Sequence, residues 1–401
     1  MTGSALLLML CGAMALALTA SAVIAIGTEA SAAREWPDLS PKAVSLLGKA
    51  STVLVCLTTI GTVSFAVMLV RAGVDVTDLH AASGYRGSPA IKDTVGTVPG
   101  LTTMTQFGCP AVIVSSLSLA QRISRAEVIK VCAVMAMALP RAFLWSERLA
   151  IVELVVPLAV VACMRMATNG RVTRIVQWSP IIVIPGSIAV FAGFEYFRSW
   201  NFYRGHNDGL LQFSVERGAG YYATAINNGF LELTHLTRTG GAPDRTVDFL
   251  YEAPGLQQLG LQSWVLGDLP GRNGPATDAD YEMLLNHHAN PEFNNSTGYA
   301  APFLDYGVTL GLVYFAVVGV IAGLLYRSFR NGEAFGLLAY PLLFFGLIEL
   351  PRYVQWAEGR FFPSWIALIV LAMTLKRVTR HESLMAGQMA GATRAMSGVQ
   401  R

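Results

Sequence analysis

An all-α polytopic membrane protein is the fold class this sequence predicts, and three observations predict it. Of the 401 residues, 53% are hydrophobic and 14% are charged, with a mean hydropathy of +0.48. A soluble protein carries roughly 25% Asp, Glu, Lys and Arg. The apolar residues fall in charge-free blocks, most of them near the roughly 20 residues that a helix needs to cross a bilayer. The five cysteines, Cys11, Cys56, Cys109, Cys132 and Cys163, lie in those blocks. They read as small apolar side chains and not as a disulfide frame. This composition excludes nucleic-acid binding as a main role, a disulfide-stapled secreted domain and a disordered scaffold.

Nine spans follow in order. Charge-free blocks run from Met1 to Thr28 and from Ala50 to Val70, and a third lies between Asp93 and Arg122. Lys130, Arg141, Glu147, Arg148 and Glu153 interrupt the segment from Arg125 to Arg165. At about 1.5 Å per residue that segment is too long for one crossing and long enough for two short ones, which predicts a hairpin turning near Trp145 to Glu147. Ile175 to Phe194, Tyr306 to Tyr326, Ala334 to Leu350 and Phe361 to Leu375 complete the set. The resulting plan has six spans in 1–194, a large extracytoplasmic loop in 195–305 between helices 6 and 7, three spans in 306–376 and a cytoplasmic tail in 377–401. Ala20-Ser21-Ala22 would suit a signal-peptide cleavage site, but no Lys or Arg precedes it. A retained span is the better reading.

Orientation follows from Lys and Arg in the short loops, since cytoplasmic loops retain positive charge. One alternating set of loops, with the tail, holds fourteen of these residues and the opposite set holds seven. The richer set is expected in the cytoplasm, with the N-terminus outside and the C-terminus inside a multi-pass inner membrane protein. The 195–305 loop carries six Arg and thirteen of the twenty-six acids, a net charge of −7 that leaves +10 on the remainder. It reads as a solvated subdomain, and loops of this length without function are uncommon.

No Walker A loop, G-x-G-x-x-G after a strand, H-E-x-x-H or G-x-S-x-G occurs. Neither a nucleotide nor another cofactor is therefore expected. His287-His288, downstream of Asp278, Asp280 and Glu282, gives only a weak hint of a metal site, because neighbouring residues point apart on regular elements. Glu153 alone among the acids sits inside a span, whereas an ion-driven transporter is expected to place acids near the midplane. Arg86, Arg141, Arg148, Arg204, Arg217, Arg352 and Arg360 gather at the external boundary. Most of them suit snorkelling or ion pairing. A guanidinium group also fits phosphate oxygens bidentately and keeps its charge, so seven beside one large loop suggest an anionic lipid-linked ligand.

Phe293-Asn294-Asn295-Ser296-Thr297, then Pro302-Phe303-Leu304-Asp305-Tyr306-Gly307, Gly311 and the run Gly319 to Tyr326 form one group of motifs. Ser146-Glu147-Arg148-Leu149-Ala150 and Arg217-Gly218-Ala219-Gly220-Tyr221-Tyr222, followed by Asn227, form two more. Together they resemble the oligosaccharide repeat-unit polymerases of the O-antigen polymerase family, thinly, over about Arg71 to Leu375. The resemblance implies a membrane glycosyltransferase that joins undecaprenyl-pyrophosphate-linked oligosaccharides on the outer face of the cytoplasmic membrane. It implies membrane lipids, a chain-length regulator and a flippase as partners. Leaving-group stabilisation then falls to Arg148 and Arg217, and substrate contacts to Arg86, Arg141, Arg204 and Arg360. Tyr221 and Tyr222 would stack on sugars, with Asp305 at the mouth. Glu147, Asp305 and Glu216 remain open as bases.

From its position alone Asp305 reads as the N-cap of the following helix, because acids suit helix N-termini. Gly307-x-x-x-Gly311 and Gly319-x-x-x-Gly323 put small residues on one helical face for close packing in lipid. Two rivals stand beside the polymerase. An O-antigen-ligase-like transferase would share its architecture. A flippase or permease predicts a polar cavity within the membrane, where a polymerase predicts an arginine-lined one above it.

Overall fold

The computed structural model describes residues 3–26, 36–73, 100–144, 149–167, 209–236, 243–253, 275–290 and 293–398, with a few isolated positions between these stretches. For residues 143, 144, 275–279 and 383–398 it describes the backbone alone. The regular structure among the described residues is entirely helical. In chain order the helices are α1 (Gly3–Ile26), α2 (Pro41–Arg71), α3 (Gly108–Gln121), α4 (Arg125–Leu144), α5 (Leu149–Ala167) and α6 (Leu210–His235). There follow α7 (Phe249–Glu252), α8 (Pro275–His288), α9 (Ala301–Arg330), α10 (Ala334–Glu349) and α11 (Phe362–Gly398).

Among the described residues six segments are long and apolar enough to cross a membrane: α1, α2, Thr102–Gln121, α5, α9 and Gly359–Glu382. That is fewer than the nine expected, and the reasons are local. Helix α4 carries Arg125, Glu127, Lys130 and Arg141. Helix α10 carries no charge before its last residue, Glu349, but has 16 residues. The expected span at Ile175 to Phe194 lies, apart from Ala189 and 191–193, outside the described residues. The expected turn at Trp145 to Glu147 lies outside them too, although α4 and α5 stand on either side where a hairpin needs them.

Helix α3, entered through a 3-10 turn at Thr102–Phe107, sits at the centre. Every residue from Gly108 to Ser118 is buried, with α2, α4, α5 and α10 around it. A helix that is apolar all round belongs in such a position. Cys109 is buried there, whereas Cys56 and Cys132 lie on exposed faces of their helices.

Side-chain ties define the two ends of the bundle. At one end Gln121 donates to the Pro37 carbonyl at 2.7 Å, Arg165 Nε to the Ala120 carbonyl at 3.0 Å and Arg327 to the Val23 carbonyl at 3.4 Å. Lys130 donates there to Glu127, Ser51 and the Gly48 carbonyl. The other end, called the site end below, gathers the start of α9, the end of α10 and the start of α11, with α6 and α7 against them.

Helix α1 runs along α9. A Cβ at Gly319 would collide with Thr19 and the Leu16 carbonyl, and one at Gly323 with the Ala20 carbonyl and Val23. Thr19 Oγ1 donates to both the Ala15 and the Ala316 carbonyls. This glycine pair therefore permits close helix contact, as its spacing predicts. Gly307-x-x-x-Gly311 does something else. Gly307 has φ 75° and ψ −175°, a left-handed conformation that glycine adopts without steric cost, and it breaks α9 into Ala301–Tyr306 and a long helix after it. Phe303 of the short piece folds back against Gly311 and meets Phe315 with ring centroids 5.6 Å apart.

Candidate functional site

Helix α6 presents one face to the bundle, and that face is polar where the site forms. Arg217, Tyr221, Ala225, Asn228 and Glu232 recur at the three- and four-residue intervals that share a helical face. Asn228 Nδ2 donates to the carbonyls of Phe293 and Asn295 at 2.7 and 3.0 Å. The Ser296 hydroxyl donates to Glu232, which is fully buried and pairs with Arg245 at 2.6 Å. Burial pushes the Glu232 carboxyl up, against the pull of Arg245 and the Ser296 hydroxyl. The Thr297 N–H donates to the Ala225 carbonyl, and the Gly298 N–H to the Leu350 carbonyl, at 3.2 and 3.0 Å. The Asn294-Asn295-Ser296-Thr297 motif is thus a seam that fastens α6 to the end of α10.

Beyond that seam lies a cluster of arginine and tyrosine. Arg352 Nη1 is 2.8 Å from the Glu349 carboxylate, and its guanidinium lies 5.9 Å from the Tyr221 ring and 5.8 Å from the Tyr353 ring. The Arg352 Nε–H is buried and has no hydrogen-bond acceptor among the described residues. Arg360 lies over the same Tyr353 ring at 5.8 Å and over Phe361 at 4.8 Å, and donates to the Tyr353 hydroxyl at 3.3 Å. Tyr222 completes the group: burial and Glu349 raise its phenol above the usual value, and Arg352 opposes them. Burial also raises the Tyr353 phenol. Both hydroxyls hold their protons at neutral pH and can donate to oxygen. Two fixed cations beside two phenols suit an anion attached to a sugar.

The structure treats the sequence-predicted residues unequally. Tyr221, Tyr222 and Arg360 come together in this cluster. Arg217 adjoins it through Phe293, whose ring is 5.0 Å from Tyr221, but Arg217 is itself buried, 2.8 Å from the fully buried Glu195 and inside a box of Tyr203, Phe213 and Phe293. Arg204 stands on an exposed turn. Arg141 lies at bundle depth, 3.4 Å from Glu153 and, with the Gln106 amide oriented to accept, 3.1 Å from its oxygen. Arg86 and Arg148 lie outside the described residues, as does Glu147.

Asp305 does not cap α9, because Ala300 is the cap residue and uses no side chain. It sits in the second turn, nearly fully buried, and accepts from the backbone N–H groups of Asp244, Arg245 and Thr246 and from the Thr246 hydroxyl, the last at 2.6 Å. Donors such as backbone N–H groups are what a buried carboxylate requires, so Asp305 anchors the segment before α7.

Sequence reasoning counted Arg352 among the boundary arginines and missed its place in the cluster, with Glu349 and Tyr353. The signal was present in Glu349-Leu350-Pro351-Arg352-Tyr353, where an acid ends a charge-free apolar helix and a proline turns the chain. The histidine pair found a different partner. His288 stacks on His235 with ring centroids 4.7 Å apart and planes 11° apart, with His287 6.4 Å further along.

Two cavities open on the helices. One, of about 670 Å³, has no charged side chain in its walls among the described residues and is formed by α2, the Thr102–Phe107 turn and α11. It follows α11 from Phe362, two residues beyond Arg360, through Ile366 and Val370 to Thr374. The other, of about 170 Å³ between α2, α4 and α5, is mostly apolar and has Arg141 and Glu153 in its wall. Comparison with known proteins finds no matching family model, no matching curated protein and no matching solved structure.

Proposed function

We propose that this chain is a membrane glycosyltransferase that joins lipid-pyrophosphate-linked oligosaccharides at the outer face of the cytoplasmic membrane, as the O-antigen polymerases it resembles do. One observation carries the reading: Arg352 and Arg360 stand on one loop, over the one ring of Tyr353, and the Arg352 guanidinium also lies 5.9 Å from the Tyr221 ring of α6. The cavity that begins at Phe362 supports it, since its apolar walls suit a polyprenyl tail.

In this reaction the acceptor hydroxyl oxygen attacks the anomeric carbon of the donor. The bond from that carbon to the pyrophosphate oxygen breaks, the electron pair leaves with the carrier pyrophosphate and the hydroxyl proton passes to a base or to water. The charge that develops on the leaving oxygen is what fixed guanidinium groups stabilise best. Arg352 and Arg360 take that role here, with Tyr221 and Tyr222 orienting sugar. Arg217 orders α6 from within. Arg148 and Arg86 keep the leaving-group and substrate roles that the resemblance gives them, and a chain-length regulator and a flippase remain the expected partners.

Purified protein given one lipid-linked repeat unit, without nucleotide or ion gradient, is expected to produce a ladder of lipid-linked oligomers. A ligase would leave the unit unextended until its separate acceptor was added. The cavity with Arg141 and Glu153 in its wall is the observation that favours the second reading, a flippase, and labelled lipid crossing liposomes with its mass unchanged would establish that instead. Chelator that stops the ladder, with rescue by a divalent metal, would retain the polymerase and end the account by arginine alone.

The side of the membrane has its own test. An externally active reporter inserted after Asp244 is expected to be active, and one after Arg380 silent, on the fourteen-to-seven excess of Lys and Arg. The reverse pattern would place the arginine cluster in the cytoplasm.

A further inference from the structure

Residues 243–253 cross the site end between two anchors. At the first, Asp305 accepts three backbone N–H groups and the Thr246 hydroxyl, and the Tyr251 hydroxyl closes the segment on itself by donating to the Pro243 carbonyl at 3.0 Å. At the second, Asp248 Oδ2 accepts the N–H of Gly359 at 3.0 Å, and Phe249 stacks flat on Phe362 with centroids 5.4 Å apart and planes 4° apart. The approach leaves no room for a side chain, because a Cβ at Gly359 would lie 2.8 Å from the Glu252 carbonyl carbon and the Ala253 nitrogen. The residue so clasped is the neighbour of Arg360, whose guanidinium is 3.8 Å from Glu358.

We propose that residues 243–253 form a proton-sensitive strap in which Asp248 is a positioning residue, holding Arg360 through the Gly359 N–H for the proposed transfer, on which reading its catalytic consequence rests. The clasp brings carboxylates together. Asp248 faces Glu252 and Asp244 on the strap and Glu358 on the loop beneath it. Burial and then Glu252 raise its carboxyl to about 7, with Glu358 and Asp244 adding and the Gly359 N–H opposing. Burial likewise raises Glu358, with Arg360 opposing and Glu252 adding.

The sign follows from linkage. The closed strap raises the Asp248 pKa above the value that an exposed carboxyl has when the strap is open, so closure takes up a proton. Its stabilisation is fully present below the ordinary carboxylate range and is lost as the pH rises to about 7, above which it is constant. A neutral Asp248 still accepts the Gly359 N–H through its carbonyl oxygen, without repelling Glu252, Glu358 and Asp244.

The test reads the strap directly, by hydrogen exchange at the Gly359 amide in full-length protein in lipid nanodiscs. The Gly359 protection factor is expected to fall about tenfold per pH unit from roughly pH 5 towards 7 and then to level off. Asp248→Asn, which keeps an acceptor and loses the charge, should give protection independent of pH. Asp248→Ala should lose it at every pH. Equal, flat protection in wild type and Asp248→Asn would overturn the strap, as would undiminished protection in Asp248→Ala. The rate of ladder formation should follow the same profile in wild type and be flat in Asp248→Asn. A protection switch in a protein that makes no ladder would remove the transferase reading and leave the strap. A ladder with flat protection would do the reverse.

Discussion

Replacing Arg352 by alanine is expected to abolish ladder formation, with a loss of about 100- to 1000-fold, the effect of removing one fixed donor to a developing oxyanion. The variant also strands Glu349, which is 2% exposed and pairs with Arg352 at 2.8 Å. Loss of fold is therefore a competing cause, and Arg352→Ala with Glu349→Gln removes it by making the buried acid neutral. That pair is expected to accumulate in the membrane like wild type and to stay inactive. Arg352→Lys should recover part of the rate, because an ammonium keeps the charge but lacks the planar fork that a phosphate engages. Full activity in the double variant would show that Arg352 ties the loop and does not meet the substrate.

Arg217→Ala is expected to fail in a different way, by loss of folded protein. Its removal breaks a fully buried ion pair with Glu195, a change that costs about 3 to 5 kcal/mol. It also empties the box of Tyr203, Phe213 and Phe293. Replacing a buried pair by apolar residues of similar volume is often neutral, so Arg217→Met with Glu195→Leu should restore the amount of protein and most of the transfer. The measurements are membrane yield, thermal melting and ladder formation. A well-folded but inactive double variant would return Arg217 to contact with the substrate.

The sequence made most of the helices legible, because the length of a charge-free block is set by the bilayer and needs no knowledge of packing. Block length gives less guidance at α4, where charges interrupt the apolar run and Glu127 and Lys130 satisfy each other and Ser51 at one end of the bundle. Partners of this kind cannot be read from spacing along one helix. The site was legible as residue types and as a place, an excess of arginine beside a large loop. The grouping was not, because Tyr221 and Arg352 are far apart in the chain and meet only through the seam that ties α6 to the end of α10. Asp305 shows the same limit. Its position predicts a cap, and its burial under Thr246 appears only once the strap is in place.

The glycine seam between α1 and α9 bears on how the protein is made. Thr19 and Ala316 are hydrogen-bonded across 297 positions of chain. At roughly 5 to 20 residues per second, α1 emerges from the ribosome about 15 to 60 s before its partner exists. During that interval it lacks this partner, and a helix without a charged residue is a stable occupant of the bilayer. The α1–α9 seam therefore closes only after α9 has been made. The bare backbone at Gly319 and Gly323 is then the feature that lets α9, once inserted, lie directly against the waiting backbone of α1.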